Sequence, residues 1–313
     1  MSGDVIVTIT LNAALHVDYT TDDLAAEGTI SVSRPSYRAG GRGVTVARVL
    51  RAFGHDVLAS GLAGGASGEL IREDLAKSGV PTAFTLIRGE SRRFFRFADP
   101  AGPVTRFAEP GPYITTEELG RFAADYRRLM AGAAAVVLCG SLPDCLPSDT
   151  YGSLVTYAAE AGVPVILDAG GEELKHAVGH GPDLVVAEMS SAEPGPEGFG
   201  AALIRLGASA AAVAVGGVVH AVTATGDWTA RVEVTDADPA YLPARGALVA
   251  GLVPGQLLGW SWPDRLRHAL ALAAGGAGAW TRAPGAPEDR DHVDLVAYER
   301  LLDAVRVEPR SAR

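Results

Sequence analysis

The sequence is poor in cysteine, in aromatic residues and in excess basic charge. Its two cysteines, Cys139 and Cys145, cannot build a disulfide framework or a four-cysteine zinc site. Cys139 closes an apolar run and reads as a small buried hydrophobe rather than a reactive thiol. Aromatic residues are 6% of the chain against 38 glycines, so the core is expected to be built from small side chains. Lys and Arg total 27 against 37 Asp and Glu, a net charge of −10, which repels phosphates at long range and excludes generic binding to nucleic acid or anionic membrane. No apolar run reaches the ~18 residues that span a bilayer. The opening MSGDVIVTIT lacks the basic stretch and apolar run of a signal peptide. These absences predict a cytoplasmic, reduced, soluble protein. Hydrophobic residues at 48% and charged residues at 20% are ordinary globular usage, which excludes wholesale disorder.

Along the 313 residues, apolar β-like runs recur at Val5–Leu11, Val57–Ala59, Ala134–Cys139, Pro164–Leu167, Leu184–Ala187 and Ala211–Val215. Helix-patterned segments lie between them, at Val44–Phe53, Gly68–Ser78, Thr116–Met130, Ser148–Glu160 and Gly198–Leu206. Alternating strands and helices, with the strands apolar throughout, predict an α/β domain with a parallel sheet covered on both faces. Val17–Arg38 and Ile87–Phe107 break the pattern with alternating charged and apolar residues. They read either as a small half-wet sheet, serving as a lid or oligomer interface, or as two surface loops. Glu193–Gly200 and Ala283–Asp291 are Pro/Gly-rich loops, and the tail after Val307 is expected to be frayed.

Three segments could carry chemistry. Ala39–Leu50 (AGGRGVTVARVL) places three glycines before an amphipathic helix, a turn that either packs tightly or holds an anion at bare helix N–H groups. It is neither GxxxxGK[ST] nor GxGxxG, so the usual nucleotide fingerprints are missing. Leu138-Cys-Gly-Ser-Leu-Pro and Val165-Ile-Leu-Asp168 both end strands, where parallel sheets face their ligand crevice. Asp168 there either binds a ligand or metal, or caps the next turn.

Taken together, several segments resemble the PfkB/ribokinase family of sugar kinases, in particular its 1-phosphofructokinase and tagatose-6-phosphate kinase branch. Thr10-Leu-Asn-Ala-Ala-Leu is similar to TLNPAL, and Ala39–Leu50 to GGKGxNVAxxL. Gly61-Leu-Ala-Gly-Gly with Gly68-Glu matches GxxGxxxG. Gly89-Glu-Ser-Arg resembles GETR, Glu109-Pro-Gly-Pro is identical to EPGP, Gly140-Ser-Leu-Pro matches GSLP, and Leu167-Asp-Ala-Gly-Gly resembles LDTSG. Order and spacing hold from about residue 5 to 282. The resemblance implies one ribokinase-like three-layer α/β/α domain over residues 1–313, with β-lid strands from about 12–38 and 87–108 inserted in it. It implies ATP and magnesium as cofactors, a sugar phosphate or other small anion as ligand, and a homodimer formed through the lid. The residues it points to for the sugar phosphate are Asn12, His16, Gly40, Gly41, Arg42, Arg92 and Ser141. For the nucleotide they are Gly216, Gly217, Ala244 and Arg245.

The departures from the family pattern fall on the chemistry. The second signature, TVGAGD, supplies backbone N–H groups for the transferring phosphoryl and the Asp that takes the acceptor proton. Here the aligned stretch is Tyr241-Leu-Pro-Ala-Arg-Gly-Ala-Leu-Val-Ala-Gly, in register through Val249-Ala-Gly-Leu. Gly246 stands where the catalytic Asp belongs, Pro243 has no N–H to offer, and Arg245 replaces a glycine. His16 replaces a sugar-binding Asp, Thr45 an Asn, Arg42 a Lys, Phe94 and Ala108 two further Asn residues. Val186-Ala-Glu188-Met-Ser-Ser191 stands for the magnesium-organising KPNxxE. Loss of a positioned base typically costs ~10²–10⁴-fold. The chain is therefore expected to have no catalytic base or metal site of its own, and to be a very poor kinase that still binds a ligand. Arg42 and Arg92 either hold its anion or form salt bridges, and Arg245 either holds phosphate or lies at the surface. The alternatives are an active kinase with a base relocated to Asp18, His16 or Asp238, and a structural or regulatory dimerisation partner. Phe94-Phe95-Arg-Phe97 fits an interface or the lid's own core.

Overall fold

The computed structural model describes residues 5–21, 29–32, 34–98, 104–189, 195–233, 245–281 and 295–310. The chain runs β1 (Val5–Thr10), β2 (Ala14–Thr20), β3 (Ser36–Gly40), α1 (Arg42–Ala52), β4 (Val57–Gly64), α2 (Gly65–Lys77), β5 (Thr82–Ile87), β6 (Arg92–Ala98) and β7 (Val104–Ala108). It continues with α3 (Thr116–Met130), β8 (Ala133–Cys139), α4 (Thr150–Glu160), β9 (Val165–Asp168), α5 (Gly171–Val178), β10 (Leu184–Glu188), α6 (Pro196–Leu206), β11 (Ala210–Val215), β12 (Val218–Thr223) and β13 (Asp227–Val232). It ends with α7 (Arg245–Leu258), α8 (Trp262–Thr281), α9 (Leu295–Ala304) and β14 (Val305–Arg310).

Ten strands form one sheet in the order β14-β13-β12-β11-β10-β9-β8-β1-β4-β5. Successive side chains of a strand point to opposite faces, and this alternation builds two cores. On β8, Ala135, Val137 and Cys139 pack with Val46 and Val49 of α1, Val249 of α7 and Leu270 of α8. Val136 and Leu138 pack on the other face with Phe122 of α3, Leu154 of α4 and Leu174 of α5. β9 and β10 divide in the same way, giving helix, sheet and helix layers. Small residues permit close helix contact: a Cβ on Gly251 of α7 would come 2.5 Å from the Ala269 backbone of α8. α3 starts at a capping box, in which Thr115 and Glu118 exchange side-chain and backbone hydrogen bonds.

Three sequence expectations need correction. The sheet is not wholly parallel, because β12, β13 and β14 extend it antiparallel from β11. The tail beyond Val307 is not frayed as far as Arg310: Val305–Arg310 pairs with Asp227–Val232, so its backbone groups are satisfied in the ladder. Glu193–Gly200 is not wholly loop, since α6 begins at Pro196, a residue suited to a first helical turn. Ala283–Asp291 lies outside the described residues. Val17–Arg38 and Ile87–Phe107 contribute to a second sheet, in the order β3-β2-β6-β7, while Ile87 itself closes β5 in the large sheet. No helix among the described residues is long and apolar enough to cross a membrane.

Candidate functional site

The C-terminal end of β1, the small sheet and the N-terminus of α1 meet around a cavity of about 400 Å³. Its lining includes Thr10, Asn12, His16, Gly41, Arg42, Thr45, Arg92, Phe94, Gly140 and Ser141. Asn12 follows β1 and is buried; its Nδ2 donates to the Leu142 carbonyl at 3.2 Å and to Ser141 Oγ at 3.4 Å, tying the β1–β2 turn to the loop after β8. Its Oδ1 is buried without a hydrogen-bond partner.

Gly41 is the residue that enters α1. Its φ of 120° suits glycine, and a Cβ there would lie 2.7 Å from the Thr10 methyl. No side chain caps α1, and its first turn has no acidic residue. Its N–H groups and dipole therefore favour an anion on the cavity side. Arg42 projects from that turn and Arg92 from the start of β6; the Arg92 Nε is buried without a partner. Burial lowers the Arg92 pKa from its ordinary value, an effect Asp144 opposes.

The His16 imidazole lies against the backbone of Gly40, where a Cβ would fall 2.2 Å from Nε2, and its ring centroid is 5.3 Å from that of Phe94. Burial, reinforced by Arg38, lowers its pKa to about 4. The ring is neutral at neutral pH, and its conjugate acid is too strong for it to serve as an effective base toward an alcohol.

Behind the cavity lies Asp168, at the end of β9 and fully buried. It does not cap the turn that follows, since the N-cap of α5 is Gly170 and no side chain caps that helix. Its Oδ2 is 3.3 Å from Arg42 Nε, and its Oδ1 pairs with Arg245. Burial raises its pKa above the ordinary carboxylate value, while Arg245 and Arg42 pull it down. Arg245, the first residue of α7, is 17% exposed; it also donates to the carbonyls of Ala169 and Val186 at 3.3 and 3.2 Å and lies 3.5 Å from Glu188. Arg245 is therefore no surface residue, and Arg42 combines a salt bridge with a cavity-lining position. Gly246 is buried against α1, with a Cβ position 2.8 Å from Thr45 Cγ2.

A magnesium ion does not fit these carboxylates as they stand, because both oxygens of Asp168 face guanidinium groups. Among the described residues no cluster of three or more His, Cys, Asp or Glu side chains could hold a metal. No described residue lining the cavity is Asp or Glu.

Of the residues singled out from sequence, Asn12, His16, Gly41, Arg42, Arg92 and Ser141 line the one cavity, with Gly40 beneath His16 and Gly246 beneath Thr45. Gly216 and Gly217 lie elsewhere, with φ of 53° and 83° in the two-residue turn from β11 to β12. Ala244, Pro243, Ser191 and Asp238 lie outside the described residues. Asp18, on β2, is not among the cavity-lining residues. Sequence reasoning missed the joining of Asp168 to Arg245, for which only Asp168's place at a strand end was a signal.

The chain belongs to the pfkB family of carbohydrate kinases, whose family profile matches residues 6–193. A tagatose-6-phosphate kinase from Staphylococcus epidermidis is 37% identical over 170 residues, which cover 54% of this chain and 54% of the relative. The match thus spans about half the length of that curated protein. The phosphofructokinase-2 of Escherichia coli solved with potassium superposes with a TM-score of 0.82 at 20% identity, covering 95% of this chain and 98% of that one. The same enzyme in complex with fructose-6-phosphate gives 0.79 at 21% identity, with the same coverage. These likenesses establish the ribokinase-like α/β fold.

Proposed function

We propose that this chain is a sugar-phosphate-binding relative of the pfkB kinases in which phosphoryl transfer is weak or lost. The observation that carries this reading is the composition of the cavity: two arginines, an uncapped helix N-terminus and the polar groups of Asn12, Thr10 and Ser141, with no carboxylate among the described residues that line it. Arginine and helix N–H groups suit a phosphate, while Asn12 and Ser141 suit sugar hydroxyls. Phosphoryl transfer needs a group that orients and deprotonates the acceptor hydroxyl. In the family register Gly246 stands at that position and has no side chain to do so. His16 is the alternative base within the cavity, and its depressed pKa argues against it. In the segment that stands for the family's magnesium-organising motif, Glu188 is engaged by Arg245 and Ser191 replaces the closing Glu, so neither ATP nor magnesium enters this reading as a working cofactor. The small sheet, with Tyr37 and Phe107 exposed, is the proposed surface for a homodimer.

Differential scanning fluorimetry with fructose 1-phosphate, fructose 6-phosphate and tagatose 6-phosphate tests binding, because a ligand selective for the folded state raises Tm. A coupled assay with ATP tests transfer. Turnover near the ~1–100 s⁻¹ of kinases would overturn the loss of catalysis, and no Tm shift with any sugar phosphate would overturn the binding.

A further inference from the structure

Asp168 and Glu188 end the neighbouring parallel strands β9 and β10, at the rim where α/β sheets receive ligands. Two carboxylates converging there are the hard oxygen donors that a divalent cation takes. In this protein one guanidinium joins them. Arg245 forms an ion pair with Asp168, lies 3.5 Å from Glu188, and donates from Nη2 to the carbonyls of Ala169 and Val186. Arg42 takes the other Asp168 oxygen at 3.3 Å. The Asp168 side chain has no exposed surface. Arg stays charged when buried and its planar fork meets several acceptors at once. A metal ion at the same carboxylates would face two guanidinium groups of like charge.

We propose that Arg245 is a built-in counter-cation that closes the Asp168–Glu188 pair to divalent metal, so that the cavity takes its anion without a metal ion. The two carboxylates are balanced by Arg245 and Arg42, and Arg92, with Asp144 near it, adds a guanidinium to the cavity lining. Only the second half of this proposal rests on the anion-binding reading above.

Titration of the full chain with Mn2+, followed by the loss of the free-ion electron paramagnetic resonance signal, tests the first half. Wild type is expected to bind no Mn2+ that depends on Asp168. The Arg245→Ala variant is expected to gain one ion per chain, and Arg245→Ala combined with Asp168→Asn to lose it again. Stoichiometric Mn2+ binding by wild type that Asp168→Asn abolishes would overturn the proposal, as would a folded Arg245→Ala protein that binds none. Should circular dichroism show Arg245→Ala unfolded, the wild-type comparison decides. For the second half, the Tm shift from inorganic phosphate and from fructose 6-phosphate is measured in EDTA and in excess Mg2+. Equal shifts support the proposal, and a shift that requires Mg2+ refutes it. A shift in neither medium refutes the anion-binding reading, and the Mn2+ titration then judges Arg245 by itself.

Discussion

Gly246 and Thr45 are packed so closely that a Cβ on Gly246 would lie 2.8 Å from the Thr45 methyl. The absence of a side chain at position 246 is therefore built into the packing of α7 on α1. Replacing Gly246 by Asp to restore the family's base is expected to destabilise the fold by ~1–3 kcal/mol through overpacking, more than offsetting the gain from removing a helical glycine. Turnover in the coupled assay stays far below that of working kinases. Adding Thr45→Ser, which removes the contacting methyl, recovers part of the lost Tm. An unchanged Tm for Gly246→Asp alone would show that the two helices yield freely, contrary to this account.

Arg92 and Arg93 are adjacent on β6 and face opposite ways. Arg92 lines the cavity, whereas Arg93 forms a fork with Glu109, the closest approach being 2.7 Å. Hydrogen bonds to charged groups contribute ~1.5–3 kcal/mol. Arg92→Ala should thus weaken fructose 6-phosphate about ten- to hundredfold by isothermal titration calorimetry, with Arg92→Lys intermediate because it loses the planar fork. Arg93→Ala, its partner on the strand's other face, should leave affinity unchanged. Equal loss in the two alanine variants would point to overall charge and not to the cavity.

The elements most readable from sequence were those with local signals. The helix-patterned segment Thr116–Met130 coincides with α3, whose ends carry local signals in the Thr115–Glu118 capping box and the arginines of its last turn, and whose buried stripe is Phe122, Tyr126 and Met130. The strands β8 to β11 were visible because burial on both faces makes them apolar throughout. β12 and β13 escaped because they are half-buried and carry His220, Asp227 and Thr229 among their apolar residues. The cavity was largely visible in contiguous motifs such as Ala39–Leu50. The ion pair of Asp168 with Arg245 was not: it joins residues from two distant motifs, and no local pattern announces a contact made only when α7 docks on the ends of β9 and β10.

His16 and His268 both have pKa values lowered from 6.5 to about 4, chiefly by burial. A histidine depressed in the folded state binds its proton more readily when unfolded. The stability that follows from keeping it neutral is present above pH 6.5 and is lost as pH falls toward 4. The urea midpoint should decline across that window. In His16→Asn the number of protons taken up on unfolding should drop by about one, while the share due to His268 persists. A pH profile identical to that of wild type would mean that His16 titrates normally in the folded protein.

Asp74 of α2 supports the glycine turn from below. Its Oδ2 accepts the Ala39 N–H at 2.6 Å and pairs with Arg48, whose side chain is 4% exposed and which donates to the Ala39 carbonyl at 3.2 Å. Asp74→Ala would strand a buried guanidinium and a backbone amide immediately before Gly40 and Gly41. The expected cost is ~3–5 kcal/mol, the range for breaking a buried pair from one side. It is measured by urea denaturation and should bring weaker sugar-phosphate binding, since the turn that presents Arg42 loses its anchor. Removing both charges together, with Asp74→Leu and Arg48→Met, should recover part of the stability, because no charge is left unpaired although the Ala39 N–H and carbonyl still lose their partners. A cost for Asp74→Ala within the ~0–1 kcal/mol of a solvent-exposed pair would show that Arg48 finds water, and that the turn is held by its glycines alone.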